Sequence, residues 1–195
     1  MRKLALLLSI LVLLVAATGA VSAKKPAPDT FTITGYTINT PVFDYETLPG
    51  HVLYSVLAQG GGEDAEDNNF CLNFYGVSCQ TLCLDFPSQA CGVSGDLNGS
   101  FTFEEWIDID LDELTATNYG LITITTPDHR SSTAVVQFNG GADLKTVWGE
   151  FEIEKKTGTG AHKNLEGAGT YAGNSGLVFT VTFTGDLKGL QKVKN

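Results

Sequence analysis

The segment LVFTVTFT, residues 177–184, alternates without a break. Leu177, Phe179, Val181 and Phe183 fall on one side of an extended chain, with Thr180, Thr182 and Thr184 on the other. Successive side chains of a strand point to opposite faces, so this run makes a ribbon with one dry face and one wet face. Residues 144–154 repeat the pattern. There Val147, Phe151 and Ile153 share a side, and Trp148, Glu150, Glu152 and Glu154 take the other. Further strand candidates lie at 31–38, 52–58, 97–106, 119–126, 132–139 and 165–172. No amphipathic helix of three turns follows the N-terminal apolar run.

Glycine, asparagine and aspartate punctuate these segments: LNG at 97–99, NGGAD at 139–143, Gly158 and Gly160 after Lys155–Lys156, and GNSG at 173–176. Half-wet strands joined by such turns indicate an antiparallel all-β protein. Eight of them predict an up-and-down barrel, since closing the sheet removes its exposed edges. The interval at about 59–95 is too long for a hairpin and carries the acidic tip GGGEDAEDNN, so it is expected to be an insertion.

The chain begins with Arg2 and Lys3, the apolar run LALLLSILVLLVAAT, and small residues at Val21 and Ala23. This three-part pattern predicts a signal peptide over 1–23 and a secreted product with no membrane anchor. An exposed leader would follow at 24–30, then one barrel domain over 31–185 and a tail over 186–195. Losing Arg2 and Lys3 takes the formal charge from −10 to −12. Such acidity repels phosphate backbones and anionic membranes, so no nucleic-acid partner is expected.

All four cysteines lie in CLNFYGVSCQTLCLDFPSQAC, Cys71 to Cys91. Zinc ligands come in close Cys pairs, and only Cys79 and Cys83 are that near. An exported chain is expected to use the four as two disulfides. Cys71 and Cys91 are equidistant from Thr81, as are Cys79 and Cys83, which suits a hairpin with nested bridges. The sequential pairing, Cys71–Cys79 with Cys83–Cys91, is the alternative.

Other candidate chemistry is sparse. IDIDLDEL places Asp108, Asp110 and Asp112 at alternate positions, but Glu113 and Tyr119 stand where a calcium loop needs Gly and Glu. A solvated strand face or loop is expected instead. Gly158, Gly160, Gly167, Gly169 and Gly173 precede strand rather than helix and are read as turn and close-packing residues. His51, His129 and His162 are isolated and read as surface or packing residues. No metal, cofactor or catalytic set is expected. Asn98-Gly99-Ser100 is a glycosylation acceptor in a host that glycosylates.

TGTGA, NLEGAGTY and FTVTFTG, in the C-terminal half, resemble the end of the allene oxide cyclase-like and dirigent-like barrels. The resemblance is clearest over about 95–185. It implies an eight-stranded antiparallel barrel with a central cavity, and many secreted members have no assigned activity. This chain departs from the pattern at His162, where an aromatic is frequent, and in its cysteine insertion. No catalytic residue of the family maps onto it.

A barrel of this size either fills its interior with side chains or holds one small ligand. Phe151, Phe179 and Val181 are candidates for the wall of such a lumen, and Glu105 and Tyr171 for polar groups reaching it. The leading expectation is a secreted barrel that binds a small apolar molecule or acts as a non-catalytic module. One alternative is a cyclase or isomerase that positions a hydrophobic substrate. Another is a calcium- or glycan-binding β-sandwich using exposed acids or Trp106 and Trp148.

Overall fold

A computed structural model describes residues 26–37, 42–44, 50–60, 91–128, 131–143, 145–176 and 178–191. The signal peptide expected over 1–23, most of the insertion expected at about 59–95, His129 and Leu177 lie outside the described residues. Ten strands are present among the described residues: β1 (Asp29–Thr37), β2 (Val42–Asp44), β3 (His51–Gly60), β4 (Gly92–Gly95), β5 (Ser100–Asp110), β6 (Thr115–Thr126), β7 (Ser132–Ala142), β8 (Thr146–Ile153), β9 (Glu166–Asn174) and β10 (Val178–Lys188). The only helical element among them is the 3-10 turn Gly160–His162, so no described helix could cross a bilayer.

The strands form one antiparallel sheet in the order β3-β5-β6-β7-β8-β9-β10-β1, which closes where β1 meets β3 at Tyr36–Gln59 and Thr37–Ala58. The result is the expected eight-stranded barrel. A single sheet closed on itself replaces the sandwich alternative. Two short strands reinforce the seam: β2 takes up the pairing along β3 at Val42–Ser55, and β4 runs beside the first half of β1. Neither was expected, because runs this short carry no readable period.

Seven of the eight barrel strands are longer than their sequence signal; β8, Thr146–Ile153, is shorter than the expected 144–154. The supposed leader already pairs at Asp29–Gly185 and Thr30–Thr184, and the supposed tail contributes Asp186 to Lys188 to β10. Pro26 and Pro28 made the segment look unstructured, yet pairing begins at the next residue. On the outer face Thr32 and Thr34 meet Thr182 and Thr180 across the strands, hydroxyl to hydroxyl at 3.1 and 3.2 Å.

The inner face combines aromatic residues with glycines. Phe31 stacks on Phe183 with ring centroids 4.7 Å apart, and Phe151 packs edge-on against both at 5.8 and 5.4 Å. Phe103 stacks on Phe138 at 5.1 Å. An eight-stranded ring leaves little room for so many rings, and neighbouring strands make room by presenting glycine. A Cβ on Gly120 would lie 2.6 Å from the Phe138 ring, and one on Gly169 would lie 2.8 Å from Phe151. Gly167, Gly169 and Gly173 are therefore mid-strand packing positions rather than turns.

One end of the barrel is shut. Leu97, Phe101, Ile124, Ala134 and Leu165 are buried there, and the 3-10 turn folds His162 beneath them. Thr126 donates its hydroxyl hydrogen to the Asn98 carbonyl at 2.9 Å. Its bond to His162 Nε2, also 2.9 Å, must therefore be donated by the imidazole. This leaves Nδ1 as a buried acceptor without a partner. Burial holds the His162 pKa below its ordinary value, against an upward pull from Asp128.

Gly169→Ala tests the exchange of glycine for ring space. The added methyl would also collide with the Thr184 carbonyl. It should lower stability by about 1–3 kcal/mol, seen as an earlier urea midpoint at unchanged slope. An unmoved midpoint would show that the strands part freely.

Candidate functional site

The other end of the barrel is open. Its inner row reads Ile33, Val181, Gly173, Val147, Ala142, Ala116, Ile109 and Val52 from strand to strand. These side chains are small or slender where the shut end has rings. The space they leave is a cavity of about 370 Å³ whose wall is mostly apolar. Leu114, Thr115, Asp143, Asn174, Ser175 and Gly176 form its lip.

The lip is made by tight polar turns. Asp143 Oδ1 accepts the Lys145 and Thr146 backbone N–H groups at 2.8 and 2.7 Å, and these bonds hold its pKa below the usual carboxylate range. Asp110 does the same for Asp112 and Glu113 in the β5–β6 turn, with the same effect on its pKa. His51 bonds to Asp108 at 3.0 Å on the outer face. The alternate acids of IDIDLDEL thus serve a strand and its turn. Among the described residues no group of three or more acids, histidines or cysteines converges as a metal site.

Three buried polar side chains reach into the cavity. Asn118 donates from Nδ2 to Glu105 Oε1 at 2.7 Å, and the Tyr171 hydroxyl donates to Asn118 Oδ1 at 3.1 Å. The sheet register explains how Tyr171, on β9, meets Asn118, on β6. Their cross-strand row runs Tyr171–Gly149–Gly140–Asn118, so two successive strands present no side chain between them. The phenol lies in that trough. A Cβ on Gly149 would stand 2.7 Å from its ring and one on Gly140 would stand 2.6 Å from its oxygen. Glu105 is a diagonal neighbour of Asn118, across a β5–β6 pair whose direct partner is Gly120.

This arrangement fixes the charge states. Burial pushes the Glu105 carboxyl up to about 7, against the lowering pull of the Asn118 bond. Burial also pushes Tyr171 up to about 12; its bond to Asn118 opposes this and the nearby Glu105 charge adds to it. The phenol is therefore a neutral donor, whereas the carboxyl exchanges its proton near neutrality. Glu105 Oε2 accepts no hydrogen bond from the described residues, and Glu105 is part of the cavity lining.

Of the wall and lumen residues read from the sequence, Glu105, Tyr171, Phe179 and Val181 line the cavity together. Phe151 shares their inward face but sits in the packed layer against Phe31 and Phe183, outside the lining. Asn118, which joins the two polar groups, was not anticipated. Trp106 and Trp148 are on the outer wall: Trp106 stacks on the exposed Tyr119 at 5.5 Å, and Trp148 lies across Gly141. Asn98 is exposed in the β4–β5 turn. Cys91 is disulfide-bonded, while Cys71, Cys79 and Cys83, and with them the pairing, lie outside the described residues.

Fold and site together define a small antiparallel β-barrel with an apolar pocket at one end and a buried carboxyl in its wall. Compared with models of known families and with curated proteins, the chain matches none.

The Glu105 proton supplies a pH test. The folded state holds it more tightly than an unfolded chain titrating near 4.5, so the stabilisation is complete below that pH and disappears as pH rises through about 7. His162 acts with the opposite sign near pH 6.5. The measurement is therefore the stability of wild type minus that of Glu105→Gln. This difference should fall by about 3 kcal/mol between pH 4.5 and 8. A flat difference would mean that the carboxyl is well solvated.

Proposed function

We propose that this protein is an exported β-barrel that admits one small, mainly apolar molecule and meets its polar group with Glu105, Asn118 and Tyr171. The observation that carries the reading is the cavity. It is at the small end of the range for ligand pockets, largely apolar, and has a few convergent polar groups on one wall. A structural barrel gains nothing from a carboxyl at this position, because among the described residues the group has no cation beside it and burial opposes its ionisation. Ligand-binding sites tolerate that cost, since the group is satisfied when the ligand arrives.

Kinship with the allene oxide cyclase-like and dirigent-like barrels belongs to the same proposal. The closure of eight strands and the end-open cavity support it, beside the TGTGA, NLEGAGTY and FTVTFTG segments. Export rests on the N-terminal pattern of charge, apolar run and small residues, and paired cysteines suit the same compartment. A second reading, proton-transfer catalysis of the isomerase type, has Glu105 in its favour. A carboxyl poised near neutral pH can both take and return a proton. It lacks a second group placed to hold a reacting atom, since the Tyr171 hydrogen is already given to Asn118. Binding is therefore the better supported function.

Prodan, an uncharged dye that brightens in apolar surroundings, tests the pocket. It should bind with saturation at one site per chain. Ala142→Trp, which places an indole in the cavity wall, should weaken it at least tenfold while the far-UV spectrum stays unchanged. Equal binding by that variant would place the dye elsewhere and remove the cavity as the functional site.

A further inference from the structure

Building on the binding reading, we propose that the ligand is a lipophilic amine, with its protonated nitrogen set against Glu105 Oε2 and its apolar body filling the cavity. Among the described residues the lining carries two carboxyl groups, Glu105 in the wall and Asp143 at the lip, and no lysine, arginine or histidine. A fatty acid, phosphate ester or other anion would find no counter-charge there. Burying an unpaired ion is expensive, and the cavity offers compensation to a cation only.

A second feature points the same way. Phe103, Phe138, Tyr171, Phe179 and Phe183 all line the space around Glu105. Ring faces carry negative electrostatic potential and attract ammonium groups, most strongly where water is excluded. One carboxylate among five aromatic rings is a recognition set for a nitrogen cation. A neutral hydroxyl could also bond to Glu105, but it would draw nothing from the rings and would leave the carboxylate charge uncompensated.

Approach favours the same sign of charge. The β5–β6 turn at the mouth carries Asp110, Asp112 and Glu113, with Asp143 across from it; among the described residues Lys145 and the His51 beside Asp108 and Asp110 are the basic groups of that rim. The chain as a whole bears a formal charge of −10. The titratable groups around Glu105 are few. Tyr171 on β9 faces it, Asp143 follows β7 at the lip, Asp29 shares the inward parity of β1 but sits at the shut end, and the other described inward side chains of β1, β3, β6, β8 and β10 include none. The proton that links ligand binding to pH is therefore that of Glu105. An ammonium group would favour the ionised carboxyl and release its proton.

Three probes sharing one ring system separate the possibilities: 1-naphthylmethylamine, 1-naphthylmethanol and 1-naphthoic acid, each titrated by calorimetry into wild type, Glu105→Gln and Ala142→Trp. At pH 8 the amine should bind wild type at least tenfold more tightly than the alcohol, with the acid weakest. The advantage should shrink severalfold at pH 5.5, where Glu105 is protonated, and vanish in Glu105→Gln, which should still bind the alcohol. Alcohol or acid binding as tightly as the amine, in a manner blocked by Ala142→Trp, overturns the amine assignment and leaves the cavity reading standing. Amine binding that survives Ala142→Trp is attraction to the acidic surface and also overturns it. Failure of all three probes to bind removes both proposals together.

Discussion

The structure depends on matching rings to glycines inside a ring of eight strands. Closure fixes the interior width, and that width cannot accept a large side chain from every strand. Where Phe101, Phe138 and Phe151 project inward, their neighbours supply Gly35, Gly60, Gly120 and Gly169, and the interior is solid. Nearer the mouth the large residues give way to Ala116, Ala142 and Val147 without a compensating increase elsewhere, and the interior is hollow. The cavity is therefore a consequence of the order of side-chain sizes along each strand. No loop has to fold over to create it.

The polar site sits at the boundary between these halves. Tyr171 belongs to the packed side, with its ring against Phe183 at 5.4 Å and Phe138 at 5.7 Å. Its hydroxyl emerges over Gly149 and Gly140 to hold Asn118, and Asn118 in turn orients Glu105. Every link is fixed by core packing or by sheet register. The carboxyl is thus aimed before any ligand arrives, which spares binding the cost of ordering it. Burial in the same wall disfavours the charged form and pushes the Glu105 carboxyl up to about 7.

Alternation made the architecture legible. Phe179, Val181 and Phe183 were assigned to the inner face by parity alone, as were the wall positions Val147, Phe151 and Ile153. Parity states which way a residue points and not how deep it lies, which is why Phe151 was assigned to the lumen wall and is found in the packed layer below. Asn118 escaped for a different reason. TATNYG combines Asn and Gly, residues poor in strands and common in turns, so the sixth strand was started at Tyr119 rather than at Thr115. The two residues that read as a turn are the ones the site needs: Asn118 as the linker and Gly120 as the gap opposite Glu105. Gly140 misled similarly, since NGGAD reads as a hairpin tip although Gly140 and Gly141 are paired within β7. What tertiary contact requires of a position here overrides its local preference.

That conflict between local preference and structure is informative about function. A strand built for stability alone would fill positions 118, 140 and 149 with β-branched or aromatic residues and bury nothing ionisable at 105. Here three weak strand formers occupy one cross-strand row, and together they open the trough through which a phenol reaches an amide and an amide holds a carboxyl. Local rules are broken where a site is made and obeyed around the rest of the wall. The departure is concentrated on the side of the barrel that faces the cavity, while the opposite end spends its polar groups on closure through Thr126, Ser132 and His162. Two buried polar clusters thus have two places: one seals the floor, and the other holds Glu105 in the cavity wall.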